Sequence, residues 1–416
     1  MASSVVVVGA SLAGAYAAVT LRQEGFDGGI VLVGAEPHPP YERPALSKRY
    51  LRGEVPFDKL LVRPASFYEE NRIEAIYGVR ASRIWPGERR VELQDGRRVP
   101  YDKLLLATGT RVRRPSIPGL DLPGVLALRS VDDADAIRSE MRPGRRAAVI
   151  GMGFIGCEVA ASLRQQGVSV VAVDPSPTPL FRVLGQQIGD VMATVHRDNG
   201  VDMVLKDGVA AFEGDSRVQR VVTTNGRRIE CDFAIVGIGV EPDVDVVRES
   251  GIATDNGILV DEYCRTGVAD IFAAGDVASH YHPLFGRRMR VEHWQNAMQQ
   301  GAAAARNMLG RQQPYIPVHW FWSDQYDVNL QYAGAHTTTE QVVVRGSLDD
   351  RKFLAFYLDG RHRVEGIVAL NRGNDLRRVV PLISGRHPMD INRLADETVD
   401  VRDLVALESG ARSEAE

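Results

Sequence analysis

The chain has 416 residues, 44% of them hydrophobic and 25% charged, ordinary values for a globular protein large enough to bury more than one core. Its formal net charge of −4 provides no general attraction for nucleic acid, so any charged docking face must be local. No apolar run approaches the roughly 18 residues of a membrane span, and MASSVVVVGAS at the start lacks the basic segment of a signal peptide, so a cytoplasmic enzyme is expected.

The first predicted element is the β-branched run VVVV at 5–8, which leads into GASLAG at 9–14. An Ala-rich helix follows, closing in Leu21-Arg22-Gln23 before Gly25, and IVLVGAE at 30–36 is a second strand ending in Glu36. RRVELQDGRRVPYDKLLLATGT at 89–110 predicts a hairpin feeding a buried strand that ends at Ala107-Thr108-Gly109. The pattern then repeats. AAVIGMGFIG carries loop glycines Gly151, Gly153 and Gly156, its helix closes in Leu163-Arg164-Gln165 before Gly167, and VSVVAVD at 168–174 ends in Asp174. The offset from first loop glycine to helix leucine is the same in both copies, Gly9 to Leu21 and Gly151 to Leu163. RRIECDFAIVGIGVEPD at 227–243, with Gly239, matches the earlier strand end.

Strand, glycine loop, helix, strand and acid in this order form a dinucleotide-binding unit. The glycines allow a tight turn, close approach of backbone to pyrophosphate, and close helix–strand packing. The helix N-terminus offers free N–H groups to phosphate, and the acid accepts from ribose hydroxyls. Ser11 replaces the middle glycine of the first loop, a small breach whose hydroxyl can itself donate to phosphate. Asp174 suits a free 2′-hydroxyl, and PSPTPL after it holds no cation, so NADH is favoured over NADPH; Arg182 is the nearest basic residue.

Other features have a bland reading at this level. Glu158 reads as an acid in the first turn of the second helix, where the dipole stabilises it. Asp276, at the end of the strand in TGVADIFAAGDVAS, reads locally as the N-cap of a following helix. Trp294, Trp320 and Trp322 suit either packing or a cofactor face. Cys157, Cys231 and Cys264 form no C-x-x-C, and no metal ligand set is read.

Taken together, and with PYERPALSK at 40–48, VEHWQNAMQQG at 291–301 and HWFWSDQY at 319–326, the chain resembles a family of FAD-dependent NAD(P)H ferredoxin reductases. These serve bacterial cytochromes P450 and Rieske dioxygenases. The resemblance implies an α/β, glutathione-reductase-like fold with two Rossmann-type dinucleotide-binding domains and a C-terminal α/β domain. It implies an FAD domain from 1–112 and 244–317, an NAD domain at 113–243, a C-terminal domain at 318–405, and a disordered tail at 406–416. Pro115, Pro118 and Pro123 mark the first crossover, and Glu241-Pro242-Asp243 the return.

The site residues follow from the same resemblance. Gly9, Ser11, Gly14, Glu36, Arg43, Lys48, Thr108, Gly109, Asp276, Trp294 and Trp322 would hold FAD, and Gly151, Gly153, Gly156, Glu158, Asp174 and Gly239 would hold NAD. Lys48 and Glu158 would pair and act in catalysis, with Glu158 toward the nicotinamide. Relatives that relay electrons through thiols keep cysteine near the flavin, whereas ERPALSKRYLRG at 42–53 has none. The implied reaction is hydride transfer from NADH to FAD N5, then single electrons to a [2Fe–2S] ferredoxin. Such ferredoxins are acidic, so GRRMR at 286–290 and NRGNDLRR at 371–378 are candidate docking stretches. A flavin NADH oxidase, a rubredoxin reductase or an apoptosis-inducing-factor-like NADH sensor are the alternatives.

Overall fold

The computed structural model describes residues 3–405; the 406–416 tail lies outside the described residues. The chain forms two compact units. The first comprises the chain up to Arg43, Pro56–Arg111 and Val240–His319; the second comprises Pro44–Val55, Val112–Gly239 and the chain from Trp320 onward.

In the first unit the run VVVV becomes strand Ser4–Val8, the centre of a five-stranded parallel sheet. Its neighbours are Gly29–Val33 and Lys103–Leu106, with Ile73–Ile76 and Ile271–Ala273 at the edges. Strands buried on both faces need continuous apolar runs, and Val5 to Val8 are all buried. One face is covered by helices Leu12–Gln23 and Trp294–Met308. These helices approach closely because Gly301 lacks a side chain: a Cβ there would sit 2.2 Å from the Ala13 carbonyl oxygen. The other face packs on a three-stranded antiparallel sheet, Ala81–Trp85, Arg90–Leu93 and Arg98–Pro100, which is the predicted hairpin with one further strand.

The second unit repeats this design. Strand Arg146–Ile150 lies between Ser169–Asp174 and Phe233–Val236 in a five-stranded parallel sheet. Its companion antiparallel sheet is Val209–Glu213, Arg220–Thr223 and Arg228–Glu230. Both loop helices have 12 residues, Leu12–Gln23 and Phe154–Gln165, and each is followed by a glycine at positive φ, Gly25 at +84° and Gly167 at +76°. The same unit carries a five-stranded antiparallel sheet whose first strand is Trp320–Gln325.

Candidate functional site

In both glycine loops the protein itself fixes the outer glycines and leaves the middle position free. Gly9 has φ +118°, and a Cβ on it would meet the Ala107 carbonyl oxygen at 2.1 Å; one on Gly14 would meet the Gly9 oxygen at 1.9 Å. Gly151 and Gly156 repeat this against the Gly237 and Gly151 oxygens, at 2.5 and 1.8 Å. Gly237, like Ala107, thus sets its loop's close approach. By contrast Gly153 has open space around its Cβ position and φ −74°, while Ser11 is ordinary extended backbone. Only a ligand would demand glycine there.

Neither loop helix is closed by a side-chain cap, and neither has an acid in its first turn. Helix Val131–Glu140, by comparison, carries a full capping box from Ser130 and Asp133. Two uncapped N-termini behind glycine loops leave N–H groups available to anionic groups, so the residues present fit the phosphates of two dinucleotides.

The first unit gathers Glu36, Arg43 and Tyr41. Arg43 Nη2 lies 2.5 Å from Glu36 Oε1, the Tyr41 hydroxyl donates to Glu36 Oε2, and the Arg43 guanidinium sits 5.1 Å from the Tyr41 ring centre. Burial acts to lower the Arg43 pKa, but Tyr41, Glu36 and Asp276 outweigh it and hold it above its ordinary value. Arg43 is therefore a half-buried, acid-flanked cation. Thr108 donates to the Asp243 carbonyl at 2.6 Å, and Gly109, at φ +70°, accepts from Asp243 N at 3.0 Å, which ties the strand end to the return crossover. Asp276 caps no helix: the chain passes from Ile271–Ala273 through a turn at Gly275, φ +79°, into strand Ala278–His282. Trp294 opens helix Trp294–Met308.

Lys48 and Trp322 belong to the second unit, with the Gly151 loop, Glu158, Asp174 and Gly239. Helix Phe154–Gln165 begins three residues after Gly151, so Glu158 is in its second turn and not its first; the dipole does not explain it. Its carboxylate is 3% exposed and lies 2.6 Å from Lys48 Nζ. Ser47 donates to Oε2 at 2.5 Å and Ser323 to Oε1 at 2.7 Å. Lys48 also donates to the Pro44 carbonyl at 3.1 Å. A buried charge needs a partner and hydrogen bonds, and Glu158 has both.

The alternation of strand Trp320–Gln325 accounts for Ser323. Ser323 and Gln325 are buried on one face while Trp320 and Trp322 point to the other, half-exposed and stacked with ring centres 5.4 Å apart. From Ser323 the hydrogen bonds continue inward. Gln325 Nε2 donates to Ser323 at 3.1 Å, and Gln325 Oε1 accepts from His196 Nε2 at 3.0 Å. The Tyr326 hydroxyl then donates to His196 Nδ1 at 3.3 Å. Ser47, Ser323, Gln325 and His196 carry no sequence signal of this role beyond the first three lying in or beside the quoted motifs.

Asp174 braces its own loop: Oδ2 accepts from Met152 N at 2.6 Å and Oδ1 from Ser176 N at 2.7 Å. Two of about four acceptor directions on the carboxylate are thereby used. Gly239, at φ +97°, has open space at its Cβ position. All three cysteines are buried and free; burial pushes the Cys157 thiol well up, with Glu158 and Asp174 adding to it. The basic stretches are partly committed elsewhere: Arg288 donates to the carbonyls of Val260 and Ser279, Arg290 pairs with Glu292, and Arg372 pairs with Asp375 and Glu397.

Residues 3–301 match the profile of the pyridine nucleotide-disulphide oxidoreductases, and residues 320–405 that of the reductase C-terminal family. The chain is 39% identical over 404 residues to rhodocoxin reductase of Rhodococcus erythropolis, covering 97% of this chain and 94% of the relative. It is 41% identical over 399 residues to the ferredoxin–NAD+ reductase component of the anthranilate 1,2-dioxygenase system of Burkholderia cepacia, covering 95% and 98%. The crystal structure of the ferredoxin reductase for the CYP199A2 system from Rhodopseudomonas palustris superposes with a TM-score of 0.93 at 35% identity, covering 97% of this chain and all of the other. A chain from the covalent putidaredoxin reductase–putidaredoxin complex gives 0.93 at 33% identity, covering 98% and 99%.

Proposed function

The chain belongs to the pyridine nucleotide-disulphide oxidoreductases and, within them, to the ferredoxin–NAD+ reductases; on that premise we propose that it passes electrons from NADH, through FAD, to an acidic [2Fe–2S] ferredoxin serving a P450 or Rieske oxygenase. The observation that carries this reading is the pairing of two dinucleotide cradles with no usable thiol. The three cysteines are buried and unpaired, so electrons have no dithiol route. FAD, when bound, accepts the hydride of NADH and releases electrons one at a time.

The chain's own residues bind, orient and neutralise. Gly9, Ser11, Gly14, Glu36, Arg43, Thr108, Gly109, Asp276 and Trp294 hold FAD in the first unit. Lys48 would supply positive charge to the reduced flavin, and Glu158, held by Ser47 and Ser323, fixes the ammonium in place. Trp322 offers an aromatic face, and Gly151, Gly153, Gly156, Asp174 and Gly239 receive NADH. This corresponds to an FAD domain at 1–112 and 244–317, an NAD domain at 113–243 and a C-terminal domain at 318–405, working in the cytoplasm. No helix among the described residues is long and apolar enough to cross a membrane.

The test is NADH turnover by the FAD-loaded protein with and without a [2Fe–2S] ferredoxin. A large stimulation is expected, and an unchanged rate would overturn the assignment. Comparing kcat/KM for NADH and NADPH tests Asp174, whose carboxylate repels a 2′-phosphate; a preference for NADPH would refute its role.

A further inference from the structure

Three histidines of the first unit meet without taking part in either nucleotide cradle. Strand Ala278–His282 places His280 and His282 two residues apart, on one face, and the chain returns past Tyr315 to set His319 beside them. They are 1%, 0% and 1% exposed. Their ring centres form a nearly equilateral triangle with sides of 5.6, 5.5 and 5.2 Å, and one ligand-capable nitrogen from each lies within 4.8 Å of the others.

Five of the six nitrogens of these rings have no hydrogen-bond partner. Both ring nitrogens of His280 and of His319 are buried without a partner. His282 Nε2 lies 2.8 Å from the Pro317 carbonyl oxygen, which can only accept, so Nε2 carries the proton and the Nδ1 lone pair faces the interior without a partner. Each orphaned buried polar group costs about 1–3 kcal/mol, and apolar rings would fill the same space without that cost.

We propose that His280, His282 and His319 form a tris-imidazole site for a divalent d-block cation, zinc foremost. With Zn–N bonds of about 2.0–2.1 Å and tetrahedral angles, the centres of three bound imidazoles fall roughly 5.2 Å apart, which is the size of the observed triangle. The Pro317 carbonyl on the far nitrogen of His282 is the outer partner that orients a ligating histidine. An all-nitrogen donor set excludes the oxygen-seeking Mg²⁺ and Ca²⁺. His293, with its ring 6.4 Å from that of His319, is too distant to complete the set, so water takes the fourth position. The metal ties strand Ala278–His282 to the segment ending at His319, and because the site is buried it loads as the chain folds.

The probe is zinc itself. FAD-loaded protein from zinc-supplemented culture, desalted against a weak chelator, is expected to hold about one zinc per chain by elemental analysis. The His280→Gln/His319→Gln double variant is expected to lose at least about tenfold of it while keeping its flavin absorbance. Zinc absent from the wild type, or retained equally by the variant, would overturn the proposal. If the variant fails to fold, wild type grown in cobalt decides: a tetrahedral Co²⁺ band to the red of the flavin supports the site, and its absence removes it.

Discussion

Gly9 and Gly14 are dictated by backbone atoms of the protein, whereas residue 11 is dictated by nothing around it. A Cβ at Gly14 would lie 1.9 Å from a carbonyl oxygen, too close for any rotamer to relieve, so the loop itself must open. Gly14→Ala is therefore expected to purify without FAD and with a lowered melting temperature. Ser11→Gly should keep a full complement of flavin, and loss of FAD in Ser11→Ala would show the hydroxyl to be essential. Flavin absorbance per chain checks all three. The Lys48–Glu158 pair makes a sharper prediction about asymmetry. Lys48→Met leaves a carboxylate that is 3% exposed with only the Ser47 and Ser323 hydroxyls, and removing one member of a buried pair costs about 3–5 kcal/mol. Glu158→Gln keeps both serine contacts, and its lysine, 11% exposed, retains the Pro44 carbonyl and some water. Urea midpoints should fall more for Lys48→Met than for Glu158→Gln, with unchanged slopes; the reverse order would refute this account of the pair.

Strand Trp320–Gln325 shows why part of the site was legible in the sequence and part was not. The glycine loops, the helix stops at Gly25 and Gly167, and the acids Glu36 and Asp174 follow from local spacing, because a βαβ unit is built from neighbouring residues. Ser323 donating to Glu158 joins residues 165 positions apart, and Ser47 joins it across 111; no periodicity encodes such a meeting. Asp276 and Glu158 were misleading locally for a related reason. The Gly275 turn leads into a strand, and the second helix starts at Phe154, early enough to carry Glu158 past the first turn. His196, on helix Phe181–Asp198, belongs to the same polar chain and is lowered to about 4 by burial, with its bond to Gln325 opposing. Because that value lies below the ordinary 6.5, the unfolded chain binds the extra proton between the two. Stability is therefore lost as pH falls from 6.5 toward 4. His196→Gln lacks this titration, so wild type should lead it at pH 7.5 and the gap in melting temperature should narrow by pH 4.5. A gap independent of pH would show that His196 is not buried neutral.

At the scale of the whole molecule the question is how a chain of net charge −4 would attract the acidic ferredoxin proposed as its partner. Long-range attraction is unavailable, so steering must come from cations not already spent on the fold. Arg290 is spent, 9% exposed and paired with Glu292, and Arg372 is held by Asp375 and Glu397. Arg377 and Arg378, both exposed in the last turn of helix Gly373–Val379, are differently placed. Arg377 donates only to Asn374 and the Gly373 carbonyl among its described bonds, and Arg378 lies 3.6 Å from Asp375 at 54% exposure. Exposed pairs of this kind hold their charge weakly, so both guanidinium groups can serve a partner. Interactions between exposed charges are screened within a Debye length of about 10 Å at 0.1 M salt. The KM for ferredoxin should accordingly rise several-fold as ionic strength increases, while NADH-driven reduction of ferricyanide, which needs no protein docking, changes little. Arg377→Glu/Arg378→Glu should raise the KM for ferredoxin at low salt and flatten its salt dependence, with kcat nearly unchanged. If the double variant keeps the wild-type salt profile, the ferredoxin docks on other cations, and the exposed arginines of this helix are only solvated surface.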